Sequence, residues 1–388
     1  MVQRYGPAIW GGAEAHCRDY AERLAARGLE VEVFTTCATD YRTWANELPE
    51  GESVEAGVVV RRFPVARERS ADFDDLCDRV LSDPAAATAD LQLHWMEQQG
   101  PDSPRLIDAL REEHGRFDLV VFVTYLYFTT YFGLPVAHER SVLHPTAHDE
   151  APIRLSIFDD MFRLPRAFVF LTPEERRFVH RRFELGDVPQ LVSGVGVEVP
   201  EMVDGERGRK RLGAAGRYVL YLGRIDRSKG IDHMCAFYDA YRRRTGTDVE
   251  LVLVGDPVAA VPDTDGIRVV GPVDDHEKWD ALAGAEALIQ PSFHESFAIN
   301  LLEAWSVGTP AIVNGATDVM TGHCRRSGGG VWYQSYAEFE ACMDRLLGDP
   351  PLAGALGRRG AAYVKTRYAW DRLIDRYVDF LAVVRASI

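Results

Sequence analysis

Glu295 and Glu303 stand eight residues apart in residues 291–305, which pass from an apolar stretch through a loop into a helical pattern. Glu295 falls in the loop and Glu303 about two turns into the helix, which Gly308-Thr309-Pro310 closes. A helix start offers unpaired backbone N–H groups and the positive end of a dipole, a natural seat for a diphosphate. A carboxylate farther along that helix can accept two hydrogen bonds from a ribose diol. The plainer alternative is a solvent-facing Glu303 with Glu295 in an ordinary loop. The position after a strand favours the ligand, because open α/β sheets bind ligands at the C-terminal ends of their strands.

A second group lies in residues 223–230, where Gly223 and Arg224 follow an apolar run and Lys229-Gly230 precedes a helical stretch. Arg224 as a fork and Lys229 as a point charge suit a pyrophosphate at a strand edge. A polar turn is the alternative. No G-x-S-x-G elbow, Walker A pattern or complete G-x-G-x-x-G fingerprint is present, which argues against an α/β-hydrolase, a P-loop NTPase and a nicotinamide oxidoreductase.

Together, Gly223-Arg224, Lys229-Gly230 and the Glu295/Glu303 pair resemble the donor site of the family 4 ("group 1") retaining glycosyltransferases of the GT-B type. The resemblance covers nearly the whole chain. It implies that Gly223, Arg224 and Lys229 hold the donor diphosphate and that Glu303 holds the ribose. Glu295 would lie beside the transferring sugar, with the backbone of Ser296, Phe297 and Ala298 at phosphate or sugar. Gly11-Gly12 resembles the family's glycine loop, with Gly12 at donor or acceptor. Pro145–Asp149 resembles its active-site histidine segment, with His148 reaching the sugar's hydroxyls and His144 and His294 as weaker candidates. Gly194-Val195-Gly196 matches the interdomain turn, with Ser193 where the family has Asn. The implied catalytic set is Glu295, His148, Arg224 and Lys229, with no metal and no cofactor beyond the nucleotide-sugar co-substrate.

Apolar runs at 31–35, 58–63, 119–123, 142–145, 168–171, 191–192, 218–222, 251–254, 268–270, 287–289 and 311–313 must position these residues. They alternate with helical stretches, and most are continuously apolar, as buried parallel strands are. The expected fold is α/β: a GT-B pair of Rossmann-like, doubly wound parallel-sheet domains facing across a cleft. Residues 1–195 are read as the acceptor domain and 196–365 as the nucleotide-sugar domain. Residues 366–388 are read as an amphipathic helix crossing back to the first domain. Arg4, Gly6 and Pro7 make poor strand material, so the first strand, before Gly11-Gly12, reads as incomplete, as though the start lay late.

The 388-residue length suits two domains. A net charge of −15 argues against a nucleic-acid binder. Six scattered cysteines without a C-x-x-C pair suggest reduced cytosolic thiols. No apolar run has membrane-span or signal-peptide length, so the chain is expected in the cytoplasm. Basic clusters such as Arg176-Arg177, Arg181-Arg182, Arg209-Lys210-Arg211 and Arg242-Arg243-Arg244 read as solvated helix faces, or as a peripheral contact with the inner face of the membrane. Asp159-Asp160 and Asp274-Asp275 read as surface residues or caps, and the aromatic run Tyr125–Phe132 as core, with an acceptor wall as its alternative.

The resulting expectation is a retaining hexosyltransferase using a UDP- or GDP-sugar, with a saccharide, lipid-linked or small-molecule acceptor. A catalytically silent nucleotide-sugar-binding or scaffold protein is the rival reading.

Overall fold

A computed structural model of the chain describes residues 1–9, 11–261 and 263–388. They form two compact units, one of Met1–Gly194 with Ile374–Ile388 and the other of Val195–Leu373.

The first unit holds strands β1 (Glu32–Thr36), β2 (Gly51–Glu55), β3 (Val58–Phe63), β4 (Val120–Val123), β5 (Ser141–His144), β6 (Ala167–Phe170) and β7 (Gln190–Val192). β1-β3-β2 form one sheet and β4-β5-β6-β7 a parallel second. Residues 1–3 bridge the two without forming a regular strand. Val2 N–H donates to Phe34 O at 3.3 Å, and Val123 N–H donates to Met1 O at 3.1 Å. The place of the first strand is therefore held by this short segment. Every residue of β5 and β6 is buried, and β6 reads as an unbroken apolar run for that reason, while β5 buries Ser141 and His144 as well.

Most of the aromatic run belongs to the core. Tyr125 and Phe128 are buried in a cluster with Phe158 and Phe162, and the Tyr125 hydroxyl donates to Glu150 at 2.7 Å. Asp159 and Asp160 pair with Arg182 and Arg163, as surface acids do.

The second unit holds β8 (Tyr218–Leu222), β9 (Glu250–Val254), β10 (Ile267–Val270), β11 (Leu288–Gln290), β12 (Ala311–Asn314) and β13 (Gly330–Tyr333). They form one parallel sheet in the order β10-β9-β8-β11-β12-β13. This is the doubly wound order in which the winding reverses between the first and fourth strands, here β8 and β11. The two segments singled out for their chemistry leave those two strands.

Two strands were not anticipated. β2 is an exposed edge strand, antiparallel to β3, and has no apolar run. β13 follows Gly328-Gly329 and itself begins at Gly330, so its short apolar stretch is masked by turn-forming glycines. The last helix, Trp370–Ala386, buries Leu373, Ile374, Tyr377 and Val384, one stripe at helical spacing.

Candidate active site

The site in the second unit is built on the carboxyl ends of β8 and β11. After β8 the chain turns at Gly223, whose φ of +142° is rarely adopted by residues with a side chain. The Tyr221 hydroxyl donates to Arg224 O at 2.7 Å and pins this turn. A short turn at Arg227–Lys229 follows, capped by the Asp226 side chain. Gly230 then leads into the helix Ile231–Thr245 at φ +76°, and a Cβ there would lie 2.5 Å from Pro291 O. Only glycine permits this approach, and it brings Lys229 against the loop after β11.

That loop is anchored from β12. Asn314 Nδ2 donates to Pro291 O at 2.9 Å, and Thr317 Oγ1 donates to Ser292 O at 3.0 Å. Phe297 is buried against His323 and Tyr368. Ala298 is the N-cap of the helix Ile299–Ser306, with φ +61° and no side-chain cap. A left-handed conformation costs a non-glycine residue roughly 1–2 kcal/mol, and such strain concentrates at functional sites. The uncapped first turn leaves backbone N–H groups for another acceptor.

Of the predicted charges of this half, the structure pairs Lys229 with Glu295, while Arg224 and Glu303 take other partners. Lys229 Nζ is 2.9 Å from Glu295 Oε1, and Arg224 Nε is 3.4 Å from Asp226 Oδ2. Glu303 lies on the helix Ile299–Ser306, where Lys278 Nζ donates to its Oε1 at 2.8 Å. All six of these side chains are partly exposed, between 14% and 38%. A diphosphate would here meet two cations and a helix N-terminus, with a carboxylate on the helix for a diol.

Sequence reasoning missed several members. Lys278 lies on the helix Asp275–Gly284. Asn300 Nδ2 donates to Leu222 O at 2.8 Å, and Gln290 Nε2 donates to Asn300 Oδ1 at 3.0 Å, tying β8, β11 and the helix at one point. A polar Gln290 ending an apolar strand was the available signal. Asp274 is the N-cap of the Lys278 helix in a capping box with Glu277, as read.

The first unit carries His148 and Gly12. His148 follows Thr146, a β-branched residue at φ +50°, in the segment after β5. Its Nε2 is 3.3 Å from Glu150 Oε2. Beneath it, buried Glu175 accepts from Ala147 N–H at 2.7 Å and Leu171 N–H at 2.6 Å. Burial pushes this carboxyl up to about 8, against the pull of those backbone donors and of His148. Gly12 begins the helix Gly12–Ala26, and a Cβ there would meet nothing within 4 Å. The sterically restricted glycine is Gly11, where a Cβ would run into Glu14, itself ion-paired with Arg4.

His144 is a buried structural residue. Its Nδ1 is 2.8 Å from His16 Nε2 and its Nε2 is 2.8 Å from the Tyr377 hydroxyl. His294 is exposed in the loop before Glu295. At the interdomain turn, the Ser193 hydroxyl is 2.6 Å from the Tyr20 hydroxyl, which donates to Gly194 O at 2.7 Å. Among the described residues no helix is long and apolar enough to cross a membrane.

Residues 205–362 match the family model described as "Glycosyl transferases group 1". The D-inositol 3-phosphate glycosyltransferase of Arthrobacter sp. (strain FB24) is 25% identical over 97% of this chain and 94% of its own. The enzyme of the same name from Frankia alni (strain DSM 45986 / CECT 9034 / ACN14a) is 26% identical over 92% of each chain. Among solved structures, sucrose-phosphate synthase from Thermosynechococcus elongatus superposes with a TM-score of 0.75 at 18% identity, covering 100% of this chain and 99% of that one. Anabaena Alr3699/HepE, solved in complex with UDP and glucose, gives 0.68 at 13% identity, covering 98% and 99%. The site between β8 and β11 lies inside the matched segment, and the chain is a glycosyltransferase of the GT-B fold whose residues 205–362 match the group 1 glycosyltransferase model.

Proposed function

We propose that the chain transfers a hexose from a nucleoside diphosphate sugar to an acceptor hydroxyl with retention of anomeric configuration, as the family 4 enzymes it resembles do. The observation that carries this reading is that Arg224 and Lys229 follow β8 and Glu295 and Glu303 follow β11, with Lys229 paired to Glu295, beside the uncapped helix Ile299–Ser306. The UDP and glucose named for Alr3699/HepE support a UDP-sugar, with a GDP-sugar as the alternative. The relatives' names support a small phosphorylated polyol or sugar as acceptor.

In this mechanism the bond from the anomeric carbon to the diphosphate oxygen breaks while the acceptor oxygen bonds to that carbon on the same face. The acceptor's proton passes to the leaving phosphate oxygen. Arg224, Lys229 and the helix N–H groups stabilise the negative charge growing on the diphosphate, which is electrostatic catalysis. Glu295 faces the positive charge developing on the sugar, Glu303 holds the ribose, and His148 hydrogen-bonds a hydroxyl of the sugar. Gly12, Gly223 and the backbone of Ser296, Phe297 and Ala298 give close approach to the donor. The reading needs no resident metal, since Asp274 is committed to a helix cap and Asp159 and Asp160 to arginines. It places the enzyme in the cytoplasm, with any membrane contact peripheral.

The test is mass spectrometry of UDP- and GDP-hexoses incubated with the protein and an acceptor panel that includes inositol phosphates and hexose phosphates, with and without EDTA. A new glycoside with the donor's anomeric configuration, formed equally in EDTA, is expected. Nucleotide binding without transfer or donor hydrolysis would replace this reading with a silent binding protein.

A further inference from the structure

Glu303 is faced by Lys278, from a different helix. Its ammonium donates to Glu303 Oε1 at 2.8 Å and is 2.7 Å from Asp275 Oδ1. Asp275 is on its own helix, one turn back, and its side chain is 74% exposed, whereas Lys278 is 22% and Glu303 14% exposed. The ammonium also lies 5.0 Å from the centre of the Trp279 ring. An exposed lysine loses little by waving in solvent, and an ordinary surface pair is worth under about 1 kcal/mol. Here the ammonium is largely buried and pairs with the carboxylate that a ribose would use.

The chemistry of the pair is complementary to a vicinal diol. A ribose hydroxyl is both donor and acceptor, and a carboxylate can satisfy only its donor half. An ammonium has three N–H donors, and Glu303 and Asp275 engage two of them. We propose that Lys278 is a ribose-binding residue: it fixes the Glu303 carboxylate and donates its remaining N–H to a hydroxyl oxygen of the donor's ribose. This rests on the proposed nucleotide-sugar reading and adds to it a means of selecting ribo- over deoxyribonucleotides. Burial works to lower the basicity of Lys278, but Glu303 and Asp275 outweigh it and hold the ammonium above its ordinary value, so the donor stays charged near neutrality.

Calorimetric titration with UDP, 2′-deoxy-UDP and 3′-deoxy-UDP tests this on the wild type and on Lys278→Met, Lys278→Gln and Glu303→Gln. If UDP does not bind, GDP or ADP and their deoxy forms take its place. A hydrogen bond to a charged group is worth about 1.5–3 kcal/mol, so the wild type should prefer the ribonucleotide by roughly 10- to 150-fold over at least one deoxy form. Lys278→Met should bind the ribonucleotide more weakly than the wild type does and should keep a clearly smaller preference. Lys278→Gln, a neutral donor, should restore part of it. In turnover, donor KM should rise while kcat is largely kept. A Lys278→Met protein that melts normally and keeps the wild-type preference overturns the proposal. So does a wild type that binds UDP with no preference. Binding of no nucleoside diphosphate by the wild type would instead bring down the functional reading on which it rests. If Lys278→Met does not fold, an unchanged preference in Lys278→Gln with unchanged donor KM overturns the proposal equally.

Discussion

Lys229 and Glu295, proposed above to serve separate tasks in donor use, form a direct ion pair, with Nζ 2.9 Å from Oε1. Without donor each neutralises the other. On the proposed reading, an incoming diphosphate draws Lys229 toward itself and leaves the Glu295 carboxylate to face the sugar. Lys229→Ala should therefore weaken donor use strongly. Removing one partner of a desolvated charge pair costs about 2–5 kcal/mol, or roughly 30- to 5000-fold in kcat/KM at 1.4 kcal/mol per decade. Arg224→Ala should behave alike. Near-normal kcat/KM for the donor in both variants would show that neither residue is the phosphate clamp.

The two glutamates should separate kinetically. Ribose contacts are the same before and during bond breaking, so Glu303→Gln should mainly raise donor KM. Charge develops at the anomeric carbon only in the transition state, so Glu295→Gln should mainly lower kcat. A donor titration following slow donor hydrolysis is sufficient to read both. Matching defects would mean that the pair acts as one unit.

Gly230 makes a backbone prediction with its own control. At φ +76°, alanine pays strain of roughly 1–2 kcal/mol, and its Cβ would press on Pro291 O. Gly246, at φ +66°, is equally left-handed but a Cβ there meets nothing within 4 Å. Gly246→Ala should lower the melting temperature with donor KM unchanged. Gly230→Ala should lower it further and also raise donor KM, because the turn carrying Lys229 is displaced. Equal effects on stability and none on KM would separate the turn from the donor site.

Stability should fall on acidification through a named set of groups. Burial lowers His16 to about 4, His323 to about 3, and His144 well below its ordinary value. Each is neutral when folded and takes up a proton near 6.5 when unfolded, so its contribution is present above that value and lost as pH falls from about 6.5 toward 4. Glu175 has the opposite sign. Its folded value of about 8 lies above its unfolded one, so its contribution is present at low pH and lost as pH rises toward 8. Melting curves from pH 7.5 to 4.5 should show a decline, and Glu175→Gln should steepen it. A flat profile in both proteins would contradict the neutral, buried histidines.

The sheets were legible wherever burial on both faces makes a strand continuously apolar. β6 and β8 were visible for that reason, while β2 was hidden by its exposed edge and β13 by flanking glycines. The charges at the switch point were visible because Arg224, Lys229, Glu295 and Glu303 each sit at a fixed offset from such a strand. Their partners were not. Lys278 lies twenty-five residues from Glu303 on another helix, and only the packing of the two helices makes them neighbours. Glu175 looked like any acid in a helix's first turn, although it ties together the ends of β5 and β6. Local pattern carries the elements; pairings across them belong to tertiary structure.

The division of the chain into Met1–Gly194 with Ile374–Ile388 and Val195–Leu373 makes the second unit an insertion within the first. Tyr377, whose hydroxyl is 2.8 Å from His144 Nε2, returns to the first unit after the whole inserted segment has been synthesised. Cutting once near residue 194 would thus separate the amino-terminal unit from part of its own interior. A chimera meant to exchange nucleotide specificity needs two crossovers, near 194/195 and 373/374, with both outer pieces taken from the same parent.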